Sequence, residues 1–185
     1  MILPISIYGN PILRDKCKSI DSNYPNLNNL IVNMFETMYN ASGIGISAPQ
    51  VGLSIRLFLI DLTPYHEEDP SIPKIKKVFI NPNIINESGQ DVNHNEGCLS
   101  IPGVREDVSR KSKIKVSYFD DKFNSYNEDI DGVYARVFQH EYDHLNGILF
   151  IDHLSPLQKN ILNKKLTRIQ KGKFDELYPT IKYKK

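Results

Sequence analysis

The chain has 185 residues, 40% of them apolar and 24% charged, with a formal net charge of +1. That length supports a domain with a real hydrophobic core, and the balance excludes extended disorder and gives no electrostatic reason for nucleic acid as a main partner. Met1–Tyr8 lacks the basic start and long apolar run of an export signal, and no stretch reaches the roughly 18 apolar residues of a membrane span, so a cytoplasmic protein without membrane attachment, its Cys17 and Cys98 reduced, is expected.

Along the chain, a strand-like N-terminus gives way to a loop at Asn10-Pro11-Ile12-Leu13. Leu27, Leu30, Ile31, Met34, Phe35 and Met38 recur at helical spacing, which predicts a helix over 27–39 with one buried stripe. Ile55–Asp61 is a branched apolar run and predicts a strand. Thr63–Lys74 carries three prolines and several acids and reads as a surface loop. Val78–Ile85 is strand-like, and Asn81-Pro82 within it implies an edge position or a bulge. Ile114–Tyr118 alternates as a half-buried strand does, and Ser125–Ile130 returns as its partner after a turn at Asp120-Asp121.

Asp131 suits the N-cap of the next helix, and Asn146-Gly147 suits its end. Val133, Tyr134, Val137, Phe138 and Leu145 surround that helix with apolar groups, which places it centrally. Ser155-Pro156 starts a last helix, spanning 155–171. Leu157, Ile161, Leu162, Leu166 and Ile169 form its expected apolar stripe, and Lys159, Lys164, Lys165, Arg168 and Lys171 its basic side.

The chemistry concentrates in His140-Glu141-Tyr142-Asp143-His144. Residues i and i+4 of a helix share a face, about 5–6 Å apart. Two imidazoles there can grip one metal ion, and Glu141 can reach a water on it, which is the arrangement of metal-assisted hydrolysis. A hydrolytic site wants a third ligand, and Cys98 in Glu96-Gly97-Cys98-Leu99-Ser100 is the best candidate, although a small buried hydrophobe is the other reading of that cysteine. A thiolate favours zinc or ferrous iron over magnesium or calcium. Gly43-Ile44-Gly45-Ile46-Ser47-Ala48-Pro49-Gln50 is small and nearly uncharged. It reads either as a flexible turn or as backbone that lies along an extended peptide, with Gln50 donating to a developing oxyanion.

Taken together, the three stretches resemble the peptide deformylases, whose pattern is G-x-G-[LI]-[AS]-A-x-Q, then E-G-C-L-S, then Q-H-E-x-D-H-L-x-G. Gly43–Gln50, Glu96–Ser100 and Gln139–Gly147 follow it in that order, with Ile46 and Ser47 where Leu and Ala are commoner. The resemblance implies a single catalytic domain over 1–185 of the α+β class. In it, antiparallel strands pack around a central metal-binding helix, and an amphipathic helix lies at the C-terminus. It also implies removal of the N-formyl group from the formylmethionine of nascent polypeptides, with release of formate.

Cys98, His140 and His144 would then hold one divalent ion, Fe2+ in the cell with Zn2+, Ni2+ or Co2+ able to replace it. Glu141 would be general base and acid, and Gln50 with the Leu99 N–H would hold the oxyanion. Substrate would lie against Ile44, Gly45, Glu96, Gly97, Leu99, Arg105 and Val137, beside the His140 ring. Glu96 and Asp143 are also expected to brace the histidines, with Arg110 neutralising one of them. A monomer is expected, and the basic last helix is a candidate ribosome contact. The rival readings are a zinc peptidase, whose third ligand would normally be His or Glu, and a structural metal protein, which has no use for Glu141.

Overall fold

The computed structural model describes residues 1–182. Tyr183–Lys185, the end of the expected domain, lie outside the described residues. Helices and an antiparallel sheet combine in an α+β architecture. Strand β1 (Ile5–Ser6) is followed by a single 3-10 turn, Pro11–Arg14, where a loop was expected, and by helix α1 (Leu27–Asn40). Next come β2 (Gly45–Ser47), β3 (Leu57–Asp61), the short helix α2 (Thr63–Glu68), β4 (Lys76–Gly97), β5 (Arg105–Phe119) and β6 (Ser125–Asp131). Helix α3 (Gly132–Leu145), helix α4 (Pro156–Gln170) and β7 (Thr180–Ile181) complete the order. Five strands form one antiparallel sheet in the order β2-β3-β4-β5-β6, and β1 pairs in parallel with β7.

The unbroken apolar run of β3 is explained by burial on both faces of the sheet. Leu57 and Leu59 join the cluster that contains Ile31, Met34 and Met38 of α1. Phe58 and Ile60 join the cluster under α3. There the Phe138 ring meets Phe58 at 5.0 Å and Phe79 at 5.2 Å, both edge to face, an arrangement aromatic quadrupoles favour. α3 is thus seated on the sheet by its own apolar face.

Two expectations change. Thr63–Glu68 is a helix, because Pro64 stands in its first turn, where a missing N–H costs nothing. On α4, Leu162, Leu166 and Ile169 are buried, while Leu157 and Ile161 are each 70% exposed. The i, i+4, i+7 spacing puts the first three on one face, and Ile161 points about 100° away from Leu162. The start of α4 is as expected: Ser155 Oγ accepts from Gln158 N, and Gln158 Oε1 accepts from Ser155 N at 3.0 Å. Asp131 holds the N-cap position of α3 but makes no side-chain capping bond.

Of the two alternatives at Asn81-Pro82, the bulge is realised. The β4–β5 register shifts between Ile80 and Asn83, and β4 is an internal strand. Asn81 takes a left-handed φ of 48°, and its side chain spans the break by bonding Ile20 N at 3.0 Å and Ile20 O at 2.7 Å.

Candidate active site

Three elements deliver the three sequence motifs to one place. α3 sets His140 and His144 one turn apart, with ring centroids at 5.1 Å. The end of β4 delivers Cys98, whose Sγ lies 3.3 Å from His144 Nε2. One ligand atom from each of Cys98, His140 and His144 falls within 4.8 Å of the others. Gly45 sits on β2, an outer strand of the sheet order, directly over Glu141. A Cβ at Gly45 would come to 2.5 Å from Glu141 Oε1, so any side chain there would have to push the Glu141 carboxylate aside.

The donor set fits a divalent metal. It offers a soft thiolate and two imidazoles, and His140 already spends its Nδ1 on Glu96, which leaves Nε2 for coordination. Because a carboxylate only accepts, the 2.9 Å contact assigns the His140 proton to Nδ1. Burial alone would raise the Cys98 thiol; the His144 and His140 imidazoles outweigh it and bring it down to about 5. The thiolate and Glu96 in turn hold the His140 imidazole well above its usual range, against the opposing effect of burial.

Glu141 is buried, and its carboxyl is pushed up, chiefly by desolvation. Its Oε2 has no hydrogen-bond partner, a buried acceptor left available for chemistry. Gln50 is fixed by its carbonyl, which accepts from Ser47 N at 2.9 Å and Ser47 Oγ at 3.0 Å. Its Nε2 then lies 3.6 Å from Cys98 Sγ and 3.3 Å from Ser100 Oγ, on the lining of the cleft.

Behind the histidines lies a buried network of opposite charges. Glu96 accepts from Arg110 Nε at 2.7 Å and Nη2 at 3.1 Å, and from Arg136 Nη1 at 3.0 Å. Burial penalises its charge, but the bonds from His140 and Arg110 prevail and hold Glu96 far below the usual carboxylate range. Arg110 Nη1 also donates to Asp143 at 2.7 Å, and His153 Nε2 meets the same oxygen at 2.7 Å. Arg110 thus neutralises both acids. Arg136 carried no signal in the sequence, because nothing local marks a charge that will be buried opposite Glu96, forty positions away; His153, an exposed side chain beside Asp143, carried none either.

The cleft in front of these groups holds about 360 Å³. All the expected contacts line it: Ile44, Gly45, Glu96, Gly97, Leu99, Arg105 and Val137, with Gln50, Cys98, His140 and Glu141 at its floor. The carboxylate of Glu96 is already committed to its three partners. Arg105 folds across Gly97, and its Nε is anchored on Asn95 Oδ1 at 2.7 Å. Tyr65, Leu177 and Tyr178 also line the cleft and were not anticipated. Tyr178 donates to the Leu99 carbonyl at 2.7 Å; burial first, then the nearby Cys98, push its phenol up to about 12, so it stays a donor.

The family model for polypeptide deformylase matches residues 2–160. A peptide deformylase of Christiangramia forsetii is 49% identical over 185 residues, covering 96% of this chain and 94% of the relative. One of Flavobacterium psychrophilum is 48% identical, covering 94% and 93%. Among solved structures, peptide deformylase 1B of Arabidopsis thaliana in complex with an inhibitor is 38% identical with a TM-score of 0.82, covering 92% of this chain and 91% of that one.

Proposed function

The chain belongs to the polypeptide deformylase family, the hydrolases that remove the N-formyl group from nascent peptides, and from that premise we propose which of its residues perform the reaction. Cys98, His140 and His144 hold one divalent metal ion, with α3 as the central metal-binding helix. An ion held there would supply Lewis-acid chemistry, bringing the pKa of water toward neutrality, while the chain's own residues do the rest. What supports this reading above all is the 3.3 Å approach of Cys98 Sγ to His144 Nε2 beside a buried, unpartnered Glu141 oxygen.

The roles follow from position. Water attacks the formyl carbon while Glu141 accepts its proton. The C–N bond then breaks, and Glu141 passes that proton to the leaving amine, giving formate and a free amino terminus. Gln50 Nε2 and the Leu99 N–H donate to the oxygen that gains charge in between. Glu96, by bonding His140 Nδ1, keeps that ring in one tautomer and one orientation. The nascent peptide lies extended along Ile44 and Gly45, where β2 ends the sheet order and an added strand can pair. The methionine side chain rests against Ile44, Leu99 and Val137, with the Arg105 stem at the border.

Fe2+ is the ion we assign in the cell, with Zn2+, Ni2+ or Co2+ as substitutes. We assign one catalytic domain, a monomer, cytoplasmic location without membrane attachment, and a ribosome contact through exposed Lys164, Lys165 and Arg168 of α4. Among the described residues no helix is long and apolar enough to cross a membrane. The decisive experiment is anaerobic purification, metal analysis and formate release from a formyl-Met peptide against an unblocked Met peptide. Formate from the first with no cleavage of the second is expected. Cleavage of the unblocked peptide would point to a peptidase instead. Reversing the charges of Lys164, Lys165 and Arg168 should abolish ribosome co-sedimentation, which is salt-sensitive if electrostatic.

A further inference from the structure

After α4 the chain turns at Gly172, where φ is +70°, and runs back as a strap over residues 173–182. Parallel pairing with β1 fixes its position. Ile5 lies against Thr180 and Ser6 against Ile181, with Ile5 N donating to Pro179 O at 2.9 Å and Ile7 N to Ile181 O at 3.1 Å. Phe174 and Tyr178 pack on the core that contains α1. This anchoring brings Leu177 and Tyr178 to the cleft beside Leu99. The Tyr178 hydroxyl bonds the Leu99 carbonyl at 2.7 Å. Leu177 is 83% exposed, more than any other large apolar side chain among the described residues. A lone exposed leucine is ordinary. At the lip of the cleft, next to a bond that holds Leu99, it is apolar area that a bound peptide would cover.

We propose that this strap is part of the peptide site: Tyr178 positions Leu99, and Leu177 is a side wall that favours apolar side chains in the residues after the methionine. The proposal rests on the deformylase reading above. Leu99 carries the N–H assigned to the oxyanion, and a hydrogen bond on its own carbonyl restrains the residue that presents that N–H. Oxyanion donors act within a narrow distance range, so a loosened Leu99 costs rate rather than affinity. Leu177 touches the substrate beyond the reacting group, so its loss changes which peptides are preferred.

The test uses the metal-loaded full chain with formyl-Met-Leu-Leu and formyl-Met-Ser-Ser. Wild-type protein should favour the leucine peptide in kcat/KM. Leu177→Ser, an exposed change that leaves folding alone, should shrink that preference about 5- to 10-fold, with kcat/KM for the leucine peptide falling more than that for the serine peptide. Tyr178→Phe keeps the ring in the core and deletes only the hydroxyl. It should lower kcat about 10-fold on both peptides, with KM within about twofold and metal content and thermal midpoint as in wild type. A purely structural tyrosine would keep its kcat as phenylalanine. An unchanged preference in Leu177→Ser, or an unchanged kcat in Tyr178→Phe, would overturn the role given to that residue. Wild-type protein that releases formate from neither peptide would instead remove the deformylase reading, and the strap's role with it.

Discussion

Gly45 and Glu141 constrain one another, because the carboxylate occupies the space a side chain on β2 would need. Gly45→Ala should therefore displace the proposed base while the three proposed ligand atoms stay where they are. Losing a positioned acid–base group costs about 10²–10⁴-fold. The expected result is turnover at or below about a hundredth of wild type with full metal content, read by formate release and metal analysis on the same sample. Gln50→Ala removes a donor instead of a base. Loss of one oxyanion donor costs about 2.7–4 kcal/mol, or 10²–10³-fold in kcat, again with metal retained. Undiminished turnover would take Gln50 out of the mechanism. These residues were legible because each sits in a short local pattern. His140 and His144 follow from helical periodicity alone. Cys98 did not, since a buried hydrophobe and a ligand look alike until the fold carries the thiol to within 3.3 Å of His144. Arg136 and Tyr178 were silent for the same reason, being defined by partners distant in the chain.

At the level of elements, hydrophobic pattern found what packing holds and missed what pairing holds. α1, β3 and α3 each bury an apolar face and were readable from it. Most of β4 beyond Ile85 is exposed and polar, so that arm of the long hairpin has no alternation to betray it, whereas β5 alternates and was readable at Ile114–Tyr118. Its ladder from Asn86–Lys115 to Gly97–Arg105 rests on backbone bonds, and that ladder carries Glu96 under His140. The seating of α3 is where stability and chemistry meet. Phe138 is fully buried between Phe58 and Phe79, and Phe138→Ala should cost about 3–5 kcal/mol in chemical denaturation. Arg110→Ala should be as damaging, about 3–5 kcal/mol, because it leaves buried Glu96 and Asp143 short of their shared cation. An Arg110→Ala variant of wild-type stability would mean that Arg136 and His153 suffice.

The molecule as a whole closes its site by long connections. Cys98 and His144 are 46 positions apart, and between them the chain travels through β5 and β6 before α3 returns it. A ligand that binds only when those ends are together stabilises the fold, since the unfolded chain offers no such convergence. At a free metal concentration a thousand times its Kd the linkage is about 4 kcal/mol, worth roughly 10 °C in a chain of this size. Dialysis of the loaded protein against a chelator should therefore lower the thermal midpoint by about that much, and adding the ion back should restore it. His144→Ala supplies the control, because it removes one of the three proposed ligands without touching the sheet. It should start near the chelated midpoint and respond little to chelator. A wild-type midpoint indifferent to chelator would mean that the protein folds its site rigidly and binds metal only weakly. The ordering of Cys98 would then come from the hairpin and the Glu96 network rather than from the ion.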